Sequence, residues 1–142
     1  MIKIAICGRS HAGQSLATAY LTLFYGAQPY SFNGNNDDKL ITKIKCENKD
    51  IVIIDGVSDS FKYARLKTEG YIIVKIDASD DVIAKRMYLS GDDSVLKQSV
   101  RMLIDNINAD YCVNNNSDTD FLYDELDAIM FDLGVEKAVR GE

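Results

Sequence analysis

The chain has 142 residues, of which 46% are hydrophobic and 27% are charged, and these ordinary values predict one globular domain with a substantial core. Its formal net charge is −6, with acidic residues scattered along the sequence, so no basic face for nucleic acid is visible and no nucleic-acid partner is predicted. No apolar run approaches the ~20 residues needed to span a bilayer, and no membrane association is expected.

Cysteine usage indicates the compartment. The three cysteines, Cys7, Cys46 and Cys112, are odd in number and far apart in sequence, which predicts reduced thiols in a cytoplasmic protein. The opening Met-Ile-Lys-Ile enters a strand pattern rather than a signal peptide. A single histidine argues against a zinc site.

The first apolar run, Ile2 to Cys7, predicts a strand buried on both faces, which is typical of a parallel sheet covered by helices. Apolar residues at helical spacing then predict a first helix over 15–25. The segment that joins the two elements is the candidate binding loop, and its residues are Gly8, Arg9, Ser10, His11, Ala12, Gly13, Gln14 and Ser15.

This loop matches the phosphate-binding pattern G-x-x-x-x-G-K-[ST] except that Gln14 replaces the lysine. Glycines allow successive N–H groups to point at one spot, and the following helix N-terminus adds partial positive charge, so phosphate affinity is expected to survive. The charge that a lysine places on the β- and γ-phosphates is lost, and removing such a donor typically costs about 2.7–4 kcal/mol of transition-state stabilisation. An ordinary glycine-rich turn is the alternative.

Two loop side chains carry weaker hypotheses. Arg9 is the best local candidate to supply the charge that Gln14 lacks, although a solvated loop arginine is the simpler interpretation. His11 could touch a phosphate, but an exposed histidine without a partner is favoured.

Four β-prone apolar residues, Ile51 to Ile54, predict a strand that runs into Asp55. In phosphate-loop proteins an aspartate at this place holds Mg²⁺, usually through water. Alone, Asp55 is more simply interpreted as opening a turn or capping a helix. A glycine loop on a neighbouring strand favours the metal interpretation.

The other elements alternate in the same way. Tyr30 to Phe32 is a weak strand candidate, and Tyr71 to Ile76 and Tyr111 to Val113 are further strands. The predicted helices cover 37–48, 59–68, a segment capped by Ser79, 94–106, and a segment that starts at Asp118 or Thr119. One domain is predicted over 1–134, followed by a frayed tail over 135–142.

Alternating strands and helices predict an α/β fold in which helices cover both faces of a parallel sheet. Such sheets bind ligands at the carboxyl ends of their strands. That rule places the Gly8 to Ser15 loop, Asp55 and the segment after Asp77 at one rim. Tyrosines such as Tyr20 and Tyr63, at helical positions, are expected to pack rather than to stack on a base.

Three stretches resemble P-loop nucleotide kinases, most closely the phage-type deoxynucleoside monophosphate kinases and the dephospho-coenzyme A kinases. The first is the strand, loop and helix from Ile4 to Ala17, and the second runs from Val52 to Asp77. The third comprises Asp81 to Met87, Ser94 to Arg101, and the ending Ala109-Asp110-Tyr111-Cys112-Val113-Asn114-Asn115.

The resemblance implies a three-layer αβα fold of the nucleoside monophosphate kinase type, with a five-stranded parallel sheet and with ATP and Mg²⁺ as cofactors. It also implies that Gly8, Gly13 and Ser15 hold phosphates and Mg²⁺ and that Asp55 serves the metal. Arg86 and Arg101 would be lid arginines that close on the phosphates. Ser90 stands near the position where the resemblance implies a second lid arginine, and Ser90 is uncharged. Only about 25 residues separate the first helix from the Asp55 strand. The acceptor-binding and lid regions are therefore reduced.

Two functions follow. The favoured one is a degenerate kinase-like module that binds a nucleotide or another phosphate-bearing small molecule, with a protein partner as a further expectation, and whose phosphoryl transfer is impaired. The alternative is an active (deoxy)nucleoside monophosphate kinase using ATP and Mg²⁺, in which Asp55, Arg86, Arg101 and Arg9 act in catalysis.

Overall fold

The computed structural model describes residues 1–8, 12–31, 37–55, 60–91 and 108–137. Within these ranges strands and helices alternate along the chain, as the sequence predicts. They are β1 (Ile2–Cys7), α1 (Gln14–Tyr25), β2 (Gln28–Ser31), α2 (Asp37–Glu47), β3 (Ile51–Asp55), α3 (Ser60–Thr68), β4 (Ile72–Asp77), α4 (Asp80–Leu89), β5 (Tyr111–Asn114) and α5 (Thr119–Asp132).

The strands form one parallel sheet in the order β2-β3-β1-β4-β5. β1 is central, and Ile4 pairs in register with Ile53 of β3 and with Ile72 of β4. The predicted α/β fold with a five-stranded parallel sheet is therefore confirmed. Because all five strands are parallel, their carboxyl ends lie at one edge of the sheet.

Helices cover both faces of the sheet. Successive side chains of β1 point to opposite faces, and both sets are apolar. Ile4 and Ile6 join one core with the buried residues of α1 and α5, whereas Ala5 and Cys7 join a second core with those of α2 and α3. The three-layer arrangement thus follows from a strand in which both alternating sets of side chains are apolar. None of the helices in the described part of the chain has the length and apolar character of a membrane span.

Local signals set two helix starts where the sequence places them. The Ser79 hydroxyl accepts a hydrogen bond from the Val82 N–H at 3.3 Å, and the Asp118 carboxylate accepts one from the Phe121 N–H at 3.0 Å. These side chains satisfy N–H groups that the first turn of a helix leaves unbonded. They fix the amino-terminal ends of α4 and α5.

One strand boundary differs from its prediction, and one predicted helix stays untested. β2 begins at Gln28, earlier than the predicted 30–32, and it includes Pro29. A proline lacks the N–H for a sheet ladder, and β2 tolerates it because β2 is an edge strand. The predicted helix over 94–106 lies outside the described residues, as does Phe32.

The first residues after α5 pack back towards α1, and the predicted frayed tail over 135–142 stays a prediction. The Val135 N–H donates to the Met130 carbonyl at 2.9 Å, and Lys137 Nζ lies 3.1 Å from Asp127 Oδ2. Lys137 also lies over the Tyr20 ring, 5.8 Å from its centroid. Residues 138–142 fall beyond the described part.

Asp127 joins α5 to α1. The hydroxyls of Tyr20 and Tyr25, both buried, each donate to Asp127 Oδ1 at 2.7 Å, and the Tyr20 ring stacks on Tyr123 at 4.2 Å. Burial raises the pKa of Asp127, but the bonds from Tyr25, Tyr20 and Lys137 outweigh it and hold the pKa below its ordinary 3.8. These tyrosines therefore pack, as expected, rather than face a ligand.

The three cysteines are free. Cys7 is buried in the core beside α2 and α3, whereas Cys46 and Cys112 are exposed. Burial raises the pKa of the Cys7 thiol to about 11, and the lowering effects of Tyr63 and Lys75 do not cancel it. Cys7 is thus a protonated core residue at neutral pH.

We expect Asp127→Ala to lower the free energy of unfolding by about 1–3 kcal/mol, because two buried tyrosine hydroxyls lose their acceptor. The folded-state pKa of Asp127 is depressed, so its stabilisation is present above pH 3.8 and is lost as the pH falls through the folded-state value. Urea unfolding from pH 7 down to pH 3 measures this. Asp124→Ala, at an exposed position of the same helix, is the control, and equal effects of the two variants would contradict the prediction.

Candidate functional site

A cavity of about 640 Å³ opens at the carboxyl edge of the sheet. It brings together residues from the loop, from the end of β3, from α4 and from the start of α5. The lining residues are Gly13, Gln14, Ser15, Leu16, Asp55, Arg86, Asn115, Ser117, Asp118 and Thr119. Among the predicted site residues, Arg9, Ser10, His11 and Arg101 lie outside the described part of the chain.

Both loop glycines occupy positions that a side chain could not share. Gly8 has φ +151°, and a Cβ there would lie 2.0 Å from the Ile76 carbonyl oxygen. Gly13 has φ +116°, and a Cβ there would lie 2.4 Å from Asn115 Nδ2. The two glycines therefore pack directly against the end of β4 and the residue that follows β5, and this close packing explains both by geometry.

Gln14 occupies the position of the pattern's lysine, and its side chain turns back onto the loop. Gln14 Nε2 donates to the Gly8 carbonyl at 2.6 Å and so joins the two ends of the loop. A neutral amide makes this bond without adding positive charge to the cavity.

The start of α1 faces the cavity. Gly13 precedes the helix and offers no capping side chain, and the first turn contains no acidic residue. Gln14, Ser15 and Leu16, which form that first turn, line the cavity. N–H groups of a first helical turn lack partners within the helix and carry partial positive charge, so they can bind an anion.

Asp55 ends β3 and lies on the cavity wall with Ser15. Ser31, its in-register neighbour on β2, donates a hydrogen bond from Oγ to Asp55 Oδ1 at 3.0 Å. Sequence reasoning does not single out Ser31, because the strand that carries it has only a weak pattern.

The donor set fits Mg²⁺ held jointly with a ligand. Ser15 and Asp55 offer oxygen atoms, which Mg²⁺ prefers, and Mg²⁺ commonly takes its remaining ligands from water and substrate phosphates. The described residues contain no group of three His, Cys, Asp or Glu side chains that could hold a metal without such help.

Arg86 bonds two main-chain carbonyls at the cavity wall. Its Nη2 donates to the Asn115 carbonyl at 2.8 Å and its Nη1 donates to the Ala12 carbonyl at 3.4 Å. The guanidinium thus ties α4 to the loop and to the segment that follows β5. The predicted contact of Arg86 with phosphates stays a prediction.

Asn115 is a site residue that the sequence reveals only as part of a strand ending. It is 5% exposed, and its Nδ2 donates to the Ala12 carbonyl at 2.8 Å. Its Oδ1 is buried without a hydrogen-bond partner among the residues described. A second asparagine, Asn116, accepts from the Ser79 N–H at 2.6 Å and holds the same segment to α4.

No protein-family model matches the chain, and no curated protein matches it. Several solved structures match it. A sugar kinase from Janibacter sp. HTCC2649 aligns with a TM-score of 0.68 and 12% identity, over 100% of this chain and 99% of its own. A gluconokinase from Sinorhizobium meliloti 1021 aligns with a TM-score of 0.59 and 13% identity, over 94% and 95% of the two chains.

An uncharacterized protein from Eubacterium ventriosum ATCC 27560 aligns with a TM-score of 0.58 and 17% identity, over 92% of this chain and 99% of its own. Matches at this level of identity bear on the fold. They support the α/β fold with its five-stranded parallel sheet. The chain therefore shares the α/β fold of these solved structures, two of which are kinases.

We expect Gly8→Ala to cost about 2–6 kcal/mol of unfolding free energy, because backbone strain and overpacking each cost about 1–3 kcal/mol. Gly134→Ala is the control, since Gly134 also has positive φ (+77°) but has no atom within 4 Å of an added Cβ. Urea unfolding compares the two. Similar losses would show that the close approach of Gly8 to Ile76 contributes nothing.

Proposed function

We propose that this protein binds a nucleotide, or another phosphate-bearing small molecule, together with Mg²⁺, and that its phosphoryl transfer is impaired. The observation that carries the proposal is one cavity lined by the start of α1, which Gly13 precedes, by Ser15 and by Asp55, in which the lysine position holds a neutral amide. The three free thiols support a reducing compartment, the cytoplasm.

Phosphate binding is supported by main-chain donors rather than by side-chain charge. The first turn of α1 supplies N–H groups at the cavity wall, and the turn's partial positive charge favours an anion. A volume of about 640 Å³ falls within the range typical of small-molecule sites.

The charges of the described cavity wall favour a metal-bound ligand. Asp55 and Asp118 are acidic and Arg86 is basic, so these three side chains sum to −1. A polyphosphate would be repelled by the two carboxylates unless a divalent cation lay between them. Ser15 and Asp55 are the residues that would hold Mg²⁺ there.

Impaired transfer is supported by the positions of Gln14 and Arg86. Gln14 carries no charge and bonds the Gly8 carbonyl, while the Arg86 guanidinium bonds two other carbonyls. Charge that develops on the transferred phosphoryl group would meet less stabilisation than a lysine provides.

The alternative is an active small kinase. It is favoured by the same wall, because Ser15, Asp55 and Arg86 line one cavity as an ATP–Mg²⁺ site would require. Arg9 and Arg101 would then supply the missing charge. The acceptor would be a (deoxy)nucleoside monophosphate of the kind used by the phage-type enzymes, or a sugar acid, since one structural neighbour is a gluconokinase.

Calorimetric titration with ATP and with ADP, each with and without Mg²⁺, tests the binding proposal. We expect MgATP to bind and Asp55→Asn to weaken that binding about tenfold or more, because the metal loses a charged ligand. Binding of metal-free ATP should not weaken in this variant, since it removes a repelling charge. The exposed Asp124→Asn is the control, and a native chain that binds neither nucleotide nor pyrophosphate would overturn the proposal.

Gln14→Lys tests the impairment. We expect this variant to turn over about 10²- to 10³-fold faster than the native chain, the effect typical of one charge-stabilising donor. Coupled assays would use ATP with nucleoside monophosphates, dephospho-coenzyme A and gluconate as acceptors.

Gln14→Met serves as the matched control for that variant, because it removes the amide without adding charge. A native chain that already turns over as fast as Gln14→Lys, and that loses activity on Asp55→Ala, would favour the active kinase.

A further inference from the structure

We propose that Arg86 and Asn115 are positioning residues that bind the Ala12 carbonyl and thereby fix the direction of the Gly13 N–H towards the ligand. The inference rests on the proposed phosphate site and names two residues that prepare it. It assigns Arg86 a role through the loop backbone, in place of a direct contact with phosphate.

Three hydrogen bonds form a closed triangle around Ala12. The Ala12 carbonyl accepts from Asn115 Nδ2 at 2.8 Å and from Arg86 Nη1 at 3.4 Å, and Arg86 Nη2 donates to the Asn115 carbonyl at 2.8 Å. The Arg86 guanidinium therefore bonds both Ala12 of the loop and Asn115, which itself bonds Ala12.

Two of the three residues in the triangle are shielded from water, whereas Arg86 is partly exposed at the cavity wall. Ala12 is fully buried and Asn115 is 5% exposed, so water competes poorly for these donors and acceptors. The position of Asn115 is also fixed by its own N–H, which donates to the Asp77 carbonyl at 2.6 Å. We call the contacts of Arg86 and Asn115 with the Ala12 carbonyl the clamp, and this hydrogen bond anchors the clamp to the carboxyl end of β4.

A clamp on the Ala12 carbonyl acts on Gly13 because the two groups share a peptide. The Ala12–Gly13 peptide is planar and trans, so its C=O and its N–H point in opposite directions. Any contact that fixes the carbonyl fixes the N–H as well.

Such a clamp is needed at this place because Gly13 has no Cβ. A glycine at φ +116° can reach other backbone conformations at little steric cost, so this peptide could rotate and withdraw its N–H. Rotation would break both hydrogen bonds to the Ala12 carbonyl. Arg86 and Asn115 thus supply the constraint that the glycine itself cannot.

The two alternative roles of Arg86 predict different effects on anion affinity when the uncharged Asn115 is removed. If Arg86 acts only as a charge on phosphate, removing Asn115 changes little. If Arg86 acts through Ala12, removing the uncharged Asn115 weakens anion binding as strongly as removing the arginine. Because both act on one carbonyl, the double variant should lose little more than either single variant.

The experiment uses the ¹⁵N-labelled full chain with Arg86→Lys, Asn115→Ala and the double variant. Lysine cannot reach two carbonyls in the forked geometry of arginine, so it should not rescue the clamp. The exposed Asn114→Ala is the matched control. Affinities for Mg-pyrophosphate and MgADP are measured by calorimetry, and the Gly13 amide resonance is followed without ligand.

We expect each single variant to weaken both ligands about tenfold or more, and to shift or broaden the Gly13 amide resonance before any ligand is added. Losses in the two variants should not add. An Asn115→Ala chain with native affinity and a native Gly13 resonance would overturn the inference, as would full rescue by Arg86→Lys.

Failure of the site and failure of the clamp remain distinguishable. If the native chain binds neither ligand, the proposed function fails, while the ligand-free Gly13 resonance still decides whether Arg86 and Asn115 fix the peptide. If Asn115→Ala does not fold, Arg86→Lys gives the same readout, and an unchanged Gly13 resonance in it overturns the inference.

Discussion

The close approach of β1 to β4 is the constraint on which the rim depends. Ile4 to Cys7 pair in register with Ile72 to Lys75, and the chain leaves β1 at Gly8 so near the Ile76 carbonyl that no Cβ fits between them. The first residue of the loop, Gly8, is therefore fixed in position against the end of β4. Because α1 begins directly after the loop, its amino-terminal turn is held at the same edge as the end of β3.

Three side chains near the loop, those of Gln14, Arg86 and Asn115, bond its main-chain carbonyls. The Gln14 amide bonds the Gly8 carbonyl, while Arg86 and Asn115 both bond the Ala12 carbonyl. Each of these groups bonds a main-chain carbonyl. Gly8 and Ala12, on either side of the loop residues outside the described part, are thus held by the Gln14 amide, the Arg86 guanidinium and the Asn115 amide.

Most of the fold could be predicted from local pattern. Apolar runs such as Ile51 to Ile54 identify buried strands, and Ser79 and Asp118 fix helix starts by capping, which needs only nearby residues. The site was predictable in its residue types but not in its contacts. Asn115 meets Ala12 across 103 positions of sequence, and nothing near either residue signals that contact.

Glycine retention at the loop has a further consequence. Gly8 and Gly13 are required by packing against the Ile76 carbonyl and the Asn115 amide, whether or not any substrate is ever turned over. In a mutational scan selected for folding alone, both positions would be intolerant. Invariance of the two glycines among descendants of this chain would therefore report on architecture, and only the fate of position 14 and of Asp55 would report on whether chemistry had been lost.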